Sequence, residues 1–121
     1  MNELLSGRCV LVVEDEMLVV MMIEDMLADL GCEAIATAAT VKQAIALIKE
    51  QQFDVAMLDM NLNGNKTYEV ADALTERGVP FVFSTGYSGH DMRAGYEDCP
   101  ILTKPFRDSE LAEILARLLS G

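Results

Sequence analysis

The chain has 121 residues, is 51% hydrophobic and contains three prolines, so one folded domain over residues 1–121 with a substantial core is expected. Nine basic residues against twenty acidic ones give a net charge of −11, which leaves no basic face for nucleic acid. Residues 1–7 do not resemble a signal peptide, and no apolar run is long enough to span a membrane. We therefore expect a soluble, cytoplasmic protein, monomeric or weakly dimeric, without nucleic-acid or membrane partners.

Three widely spaced cysteines predict free thiols: Cys9, Cys32 and Cys99.

The first strand and helix are predicted from an abrupt change of pattern. Residues 8–13 form a β-branched run, which predicts a buried strand. Residues 17–30 then place apolar side chains at helical spacing, and Gly31 is a natural helix terminator. Four methionines recur along this helix at roughly helical spacing, which favours core packing over a partner-binding groove: Met17, Met21, Met22 and Met26.

Two further strands flank the second predicted helix. Residues 33–38 predict a weak strand, and residues 53–59 predict a strong one whose apolar run ends in a carboxylate. Between them, Thr40 with Gln43 three residues later fits a capping box that opens a helix. Residues 61–65 contain a glycine and three asparagines, so this stretch is predicted to be a loop.

The second half of the chain continues the alternation. Strands are predicted at 80–84 and 100–103, and helices at 66–77, 90–98 and 109–119. The helix at 90–98 contains a glycine and is expected to be short or irregular, with the chain's one histidine at the surface. Five alternating strands and helices predict an α/β, flavodoxin-like (βα)5 doubly wound fold, whose five-stranded parallel sheet has the order 2-1-3-4-5.

Polar side chains end four of the predicted strands. Glu14 and Asp15 follow the first strand, and Asp59 ends the third. Thr85 follows the fourth strand, and Lys104 follows the fifth. In the expected order these four strands lie side by side, so their polar ends share one edge of the sheet. Each residue alone would be an ordinary cap or turn residue, but their joint occurrence predicts one shallow pocket.

A divalent cation is the simple remedy for three carboxylates that would otherwise repel one another. An all-oxygen site with few protein ligands and several waters suits Mg²⁺. Asp15 and Asp59 are predicted to bind it directly, and Glu14 through a bound water. The backbone carbonyl of Asn61 could supply a further oxygen, and Lys104 is expected to pair with a carboxylate when the metal is absent.

Phosphoryl transfer is the chemistry that this pocket would permit. A carboxylate beside Mg²⁺, a lysine and a hydroxyl is a nucleophile suited to a phosphoryl group, so Asp59 is predicted to form an aspartyl phosphate. The metal would hold one phosphoryl oxygen and Lys104 a second. Thr85 with a backbone N–H would hold the third.

Four short motifs contain these residues: VLVVEDE at 10–16, DVAMLD at 54–59, STG at 84–86 and TKPF at 103–106. Together they resemble the receiver domains of two-component response regulators, over essentially the whole chain. The resemblance implies that Asp59 accepts a phosphoryl group from a phosphohistidine on a histidine kinase or histidine phosphotransfer protein. It also implies that Glu14 and Asp15 hold Mg²⁺, and that Thr85 and Lys104 contact the phosphate.

A longer stretch is similar to a particular group of receivers. Residues 80–87 (PFVFSTGY) resemble the FATGUY-type single-domain receivers of alphaproteobacteria, with Ser84 where their motif has alanine. Those receivers are typical of general stress signalling. This resemblance implies a stand-alone regulator that contacts a downstream signalling protein, or a phosphate shuttle or sink. Such a domain assists its own phosphorylation and dephosphorylation and is not otherwise an enzyme.

One departure from the usual receiver pattern concerns the switch. Ordinary receivers have a tyrosine or phenylalanine three residues before the lysine, and Ile101 occupies that position here. Switching is therefore predicted to proceed through rearrangement of residues 86–98. Tyr87 is the candidate for a substitute aromatic.

Two other functions remain open on the residues alone. A phosphatase that works through an aspartyl phosphate generally needs a second aspartate two residues after the nucleophile, and Asn61 stands there. A flavodoxin-like cofactor binder needs a phosphate-binding loop after the first strand, where residues 14–16 are all acidic and would repel phosphate. Turnover of a generic phosphomonoester would favour the phosphatase, and a yellow purified protein would favour the cofactor binder.

Overall fold

Seven strands occur in the computed structural model, which describes residues 4–62, 64–86, 96 and 99–120. Five of them form a parallel sheet with the order β2-β1-β3-β6-β7, and β4 and β5 form a separate antiparallel pair. The predicted doubly wound order is thereby confirmed. The strands are β1 Cys9–Val13, β2 Ala34–Ala38, β3 Val55–Asp59, β4 Asn61–Leu62, β5 Asn65–Lys66, β6 Phe81–Thr85 and β7 Ile101–Thr103.

Four helices connect or follow these strands within the described residues. Each predicted helix boundary there lies within two residues of the observed one. Apart from Tyr96, the predicted helix at 90–98, with His90, lies outside the described residues, as does the candidate switch residue Tyr87. Over the part of the chain that is described, none of the helices is both long and apolar enough to cross a bilayer. The helices are α1 Met17–Asp29, α2 Val41–Glu50, α3 Tyr68–Glu76 and α4 Asp108–Ser120.

The sheet is buried on both faces, because side chains alternate along each strand between two helix layers. In β3, Ala56 and Leu58 pack into the layer that contains α2 and α3. Val55 and Met57 pack into the opposite layer, which contains α1 and α4. All five residues of β3 are buried, which explains why its sequence is continuously apolar up to its last residue.

The start of α2 follows the predicted capping pattern. Thr40 Oγ1 accepts a hydrogen bond from the Gln43 N–H at 3.1 Å. Gln43 Oε1 in turn accepts from the N–H of Ala39 at 2.9 Å, one residue before the cap. The first bond satisfies a donor that the first turn of a helix leaves unpaired, and the second satisfies the N–H just before the cap.

The stretch at 61–65 differs from its prediction. Instead of an irregular loop, Asn61 and Leu62 pair antiparallel with Lys66 and Asn65. Gly64 has a φ of +88°, a left-handed conformation that favours glycine in so tight a turn. The chain therefore leaves β3 through a short antiparallel pair that begins two residues after Asp59.

The methionines of α1 are mostly at the surface, so the prediction of core packing is wrong for three of them. Met17, Met21 and Met22 are exposed by 70%, 54% and 38% of their surface, and Leu18 by 80%. Met26 is half-buried. The helix buries a different stripe with the i, i+3, i+7 spacing of one face: Val20, Ile23 and Leu27. The three cysteines, all among the described residues, are not disulfide-bonded, as predicted.

Candidate functional site

Three acidic side chains meet at the carboxyl edge of the sheet. Glu14 and Asp15 directly follow β1, and Asp59 is the last residue of β3. Each offers one carboxylate oxygen, and these three oxygens lie within 4.8 Å of one another. The register brings them together, because β1 and β3 pair in parallel up to Val13 and Leu58. The spacing is that of a set of hard oxygen donors around one divalent cation.

Lys104 lies between two of these carboxylates. Its Nζ donates to Glu14 Oε1 at 2.8 Å and to Asp59 Oδ2 at 3.3 Å. The side chain of Glu14 is 1% exposed and that of Asp59 10%, while that of Lys104 is 21% exposed. The predicted pairing of Lys104 with a carboxylate is present, and it joins residues 90 and 45 positions apart in the chain.

Burial and the bond between Lys104 and Glu14 act in opposite directions on the pKa of each of these two groups. Burial raises the pKa of Glu14 above its ordinary value of 4.5, and the negative charge of Asp59 raises it further. The hydrogen bond from Lys104 lowers this pKa but does not outweigh burial. Burial alone would lower the pKa of Lys104, but the bond to Glu14 and the charges of Asp59 and Glu14 outweigh it. The lysine pKa is raised, so its ammonium group is held charged.

Asp59 is bonded through both its side chain and its backbone. Its Oδ1 accepts from the N–H of Asn61 at 3.2 Å, and its Oδ2 faces Lys104. Its backbone carbonyl accepts from the buried hydroxyl of Thr67 at 2.7 Å. The carboxylate is therefore held at the end of β3 with one oxygen directed to a backbone donor and the other to a cation.

Thr85 and Asn61 complete the set of residues singled out from the sequence. Thr85 is buried at the end of β6, one residue beyond Ser84, which pairs with Asp59. Its carbonyl accepts from the N–H of Lys104 at 2.8 Å, and a cis peptide bond joins Lys104 to Pro105. Asn61 is exposed, and its side-chain oxygen accepts from the N–H of Gly64 at 2.8 Å. The predicted site residues thus lie at one edge of the sheet.

An aromatic cluster beside β6 was not anticipated. Tyr96 is buried and stacks on Tyr68 with ring centroids 5.9 Å apart, and Phe83 meets both rings edge-on. The hydroxyl of Tyr96 donates to Asp72 of α3. Ile101 is half-buried and pairs with Phe83 across the sheet. The two tyrosines are separated by 28 positions, so no local spacing announced their contact.

Thr67 is a second residue that sequence reasoning missed. A threonine directly before a helix is normally interpreted as an N-cap. Here its side chain makes no cap hydrogen bond to α3 and bonds Asp59 instead. The signal that could have found it is its distance of eight residues from the strand-ending aspartate, with a short glycine turn between them.

A comparison with protein families identifies the family of this fold. The response regulator receiver domain family matches residues 10–116 of the chain. The chain therefore belongs to this family, and the five-stranded parallel sheet with its edge of acidic residues is the receiver fold.

Individual relatives agree with this assignment. The solution structure of SdrG from Sphingomonas melonis Fr1 is 42% identical, with a TM-score of 0.82, and the match covers 96% of this chain and 98% of that one. The receiver domain of sensor histidine kinase PA1611 from Pseudomonas aeruginosa PAO1, with magnesium coordinated in its active site cleft, is 26% identical, with a TM-score of 0.78 and coverage of 96% and 100%. The transcriptional regulatory protein YvrH of Bacillus subtilis is 32% identical over 89% of this chain and 47% of its own length. The chain thus spans about half the length of the curated relatives it matches.

Proposed function

We propose that this receiver is a Mg²⁺-dependent phosphoacceptor, in which Asp59 takes a phosphoryl group from a phosphohistidine. The donor is a histidine kinase or a histidine phosphotransfer protein, the classes with which receiver domains interact. One observation supports this most directly. The carboxylates of Glu14, Asp15 and Asp59 meet around one point, and the ammonium group of Lys104 reaches two of them.

The donor set fits Mg²⁺. Three carboxylates beside one ammonium group leave an excess of negative charge, and all the available donors are oxygens. Asp15 and Asp59 are assigned to direct coordination, Glu14 to a water-mediated contact and Asn61 to a contact through its backbone carbonyl. When bound, the metal would offset negative charge on the transferred group. The magnesium-bound receiver of PA1611 supports this assignment by similarity.

The reaction transfers a phosphoryl group between two nucleophiles. An oxygen of Asp59 forms the new P–O bond while the P–N bond to the donor imidazole breaks, and the released imidazole nitrogen takes up a proton. Lys104 Nζ would move from the carboxylates to a phosphoryl oxygen, and the Thr85 hydroxyl would contact another. Water later hydrolyses the aspartyl phosphate. The domain would thus assist its own phosphorylation and dephosphorylation without turning over a separate substrate.

A direct test uses a small phosphoryl donor. Wild-type protein with acetyl phosphate and Mg²⁺ is expected to gain the mass of one phosphoryl group in intact-mass spectrometry, and to lose it on standing. Asp59→Asn should abolish the gain, whereas the matched variant Asp54→Asn, at the other end of β3, should retain it. A wild-type protein that gains no phosphoryl group, or an Asp59→Asn protein that still does, would overturn the proposal.

The exposed face of α1 is assigned to the phosphohistidine partner. Met17 and Leu18 begin α1, two and three residues after Asp15, and Met21 continues the same exposed surface. A donor must bring its histidine to Asp59, so its surface must cover the residues beside the acidic cluster. A cluster of exposed apolar side chains at that position favours a protein contact.

The finer assignment is to the FATGUY-type single-domain receivers of alphaproteobacterial stress signalling, acting in the cytoplasm. The stretch PFVFSTGY at 80–87 and the similarity to SdrG, which the match covers almost entirely, support it. The output would be contact with a downstream signalling protein, or phosphate shuttling. A pull-down with wild type in the presence and absence of acetyl phosphate distinguishes these outputs. A partner retained only by the phosphorylated form indicates a signalling contact, and Asp59→Asn is the control.

A further inference from the structure

Thr67 bonds the backbone at two successive positions beginning at Asp59. Its hydroxyl donates to the carbonyl of Asp59 at 2.7 Å, and its N–H donates to the carbonyl of Met60 at 3.3 Å. The residue is 1% exposed and stands immediately before α3 without capping it through its side chain. The Thr67 hydroxyl therefore bonds the strand that ends in Asp59, and it does not bond the helix that follows.

The bonds of Thr67 fix two consecutive peptide groups. The group between Asp59 and Met60 is held at both ends, because its carbonyl accepts from Thr67 and its N–H donates to Ser84 O at 2.9 Å. The next group is also held at both ends. Its carbonyl, on Met60, accepts from the N–H of Thr67, and its N–H, on Asn61, donates to Asp59 Oδ1 at 3.2 Å.

We propose that Thr67 is a positioning residue for phosphoryl transfer to Asp59, an inference that rests on the proposed function. In-line attack requires an acceptor oxygen whose place and direction are fixed before the donor arrives. Without the hydroxyl, the buried carbonyl of Asp59 loses this donor, and its peptide group can rotate to find another. The next peptide group, which carries the N–H of Asn61, would shift with this rotation, and Asp59 Oδ1 would lose its fixed direction. Thr67 itself touches neither the phosphoryl group nor the partner.

The chain offers a matched control for this bond. Thr75 also donates its hydroxyl to a backbone carbonyl, that of Ala71, at 2.8 Å, but it does so within α3. Phosphorylation by acetyl phosphate at saturating Mg²⁺ should be about tenfold slower in Thr67→Val, since small misplacements of reacting groups cost rates of this order. Thr67→Ser restores the hydroxyl and should bring the rate to within about threefold of wild type. Thr75→Val should match wild type.

A structural readout separates positioning from a general loss of stability. In amide NMR spectra, Thr67→Val should shift the Asn61 resonance, and Thr75→Val should leave it in place. If wild type is phosphorylated while Thr67→Val reacts as fast as Thr75→Val, the positioning role is wrong and the proposed function stands. If wild type gains no phosphoryl group, the function itself fails.

Two further outcomes bear on the hydroxyl. If Thr67→Ser is as slow as Thr67→Val, the shape of the side chain and not its hydrogen bond matters, which overturns the inference. If Thr67→Val does not fold, Thr67→Ala against Thr67→Ser makes the same comparison. Amide exchange in the wild type then gives an independent check, because rapid exchange at Met60 and Asn61 would show that these peptide groups are not clamped.

Discussion

The two ends of β3 each present an aspartate, and their surroundings differ. Asp54 precedes the strand and is exposed, and its Oδ2 accepts one hydrogen bond from the N–H of Cys9 at 2.7 Å. Asp59 ends the strand, is buried, and meets Lys104 and two further carboxylates. The aspartate at one end of β3 therefore makes a structural hydrogen bond, and the aspartate at the other end is a candidate nucleophile.

A cleft adjoins the Asp54 end of β3, which is the end without the acidic cluster. A cleft of about 410 Å³ lies beside Asp54, where it is lined by the ends of α2 and α3 and by residues such as Gln51 and Arg77. The acidic cluster lies at the opposite edge of the sheet. Convergence of charged groups from several strands, and not the volume of a pocket, marks the chemical site here.

The largest difference between the two ends of β3 is expected at Lys104. Only the Asp59 end has a lysine among its described hydrogen-bond partners. Lys104→Met should slow phosphorylation by acetyl phosphate by about 10²- to 10³-fold, because a charged donor to the transferred group is lost. The rate is followed by intact-mass spectrometry at fixed Mg²⁺. Lys49→Met, at an exposed lysine in the last turn of α2, is the control and should match wild type. A Lys104→Met rate within twofold of wild type would contradict the role of this ammonium group.

A smaller effect is expected on the pH dependence of Mg²⁺ binding. The pKa of Glu14 is raised above 4.5, chiefly by burial, so a proton competes with the metal at this carboxylate to higher pH than at an ordinary glutamate. In the metal-free protein, Glu14 contributes to the free energy of unfolding when its carboxyl group is protonated. Because the folded pKa is raised, this contribution is fully present below pH 4.5 and is lost as pH rises through the folded pKa. Mg²⁺ affinity, measured by calorimetric titration, should therefore increase with pH from 4.5 upward.

Glu14→Gln tests this interpretation, because glutamine has the shape of the protonated acid. The variant should bind Mg²⁺ about tenfold more weakly and show a flatter pH profile, since loss of a supporting ligand commonly costs this much. Glu16→Gln, two residues along and exposed, is the matched control. An unchanged profile in Glu14→Gln would assign the pH dependence to other carboxylates.

The smallest effect is expected at Asp54. Asp54→Ala removes the bond from the N–H of Cys9, while the backbone bond from the Asp54 N–H to the Cys9 carbonyl remains. The free energy of unfolding should fall by about 1 kcal/mol, the usual net contribution of one hydrogen bond. Urea denaturation measures the loss, and Mg²⁺ affinity should be unchanged. A marked loss of Mg²⁺ binding would show that the two ends of β3 are coupled.

Much of the site could be predicted because its residues end strands. The apolar runs of β1 and β3 stop at Glu14 and Asp59, and the family motifs place Thr85 and Lys104 at the next two strand ends. In a parallel sheet of this order, those ends must be neighbours. The proximity of Lys104 to Glu14 and Asp59 then follows from connectivity that the sequence already indicates.

Other features could not be predicted from local pattern. Methionine spacing in α1 suggested a buried face, but Val20, Ile23 and Leu27 occupy it, and three of the four methionines are exposed. A helical period shows that one face is apolar, and it cannot show which of two apolar stripes the sheet will cover.

The sequence by itself determined the alternation of strands and helices, the sheet order and the polar residues at its carboxyl edge, because these depend on hydrophobic period and chain connectivity. Only the tertiary structure decided that the Thr67 hydroxyl bonds Asp59 and that Tyr96 packs on Tyr68. Those contacts depend on how separate elements pack against one another. The residue spacing within either element does not determine the direction of a side chain where two elements meet.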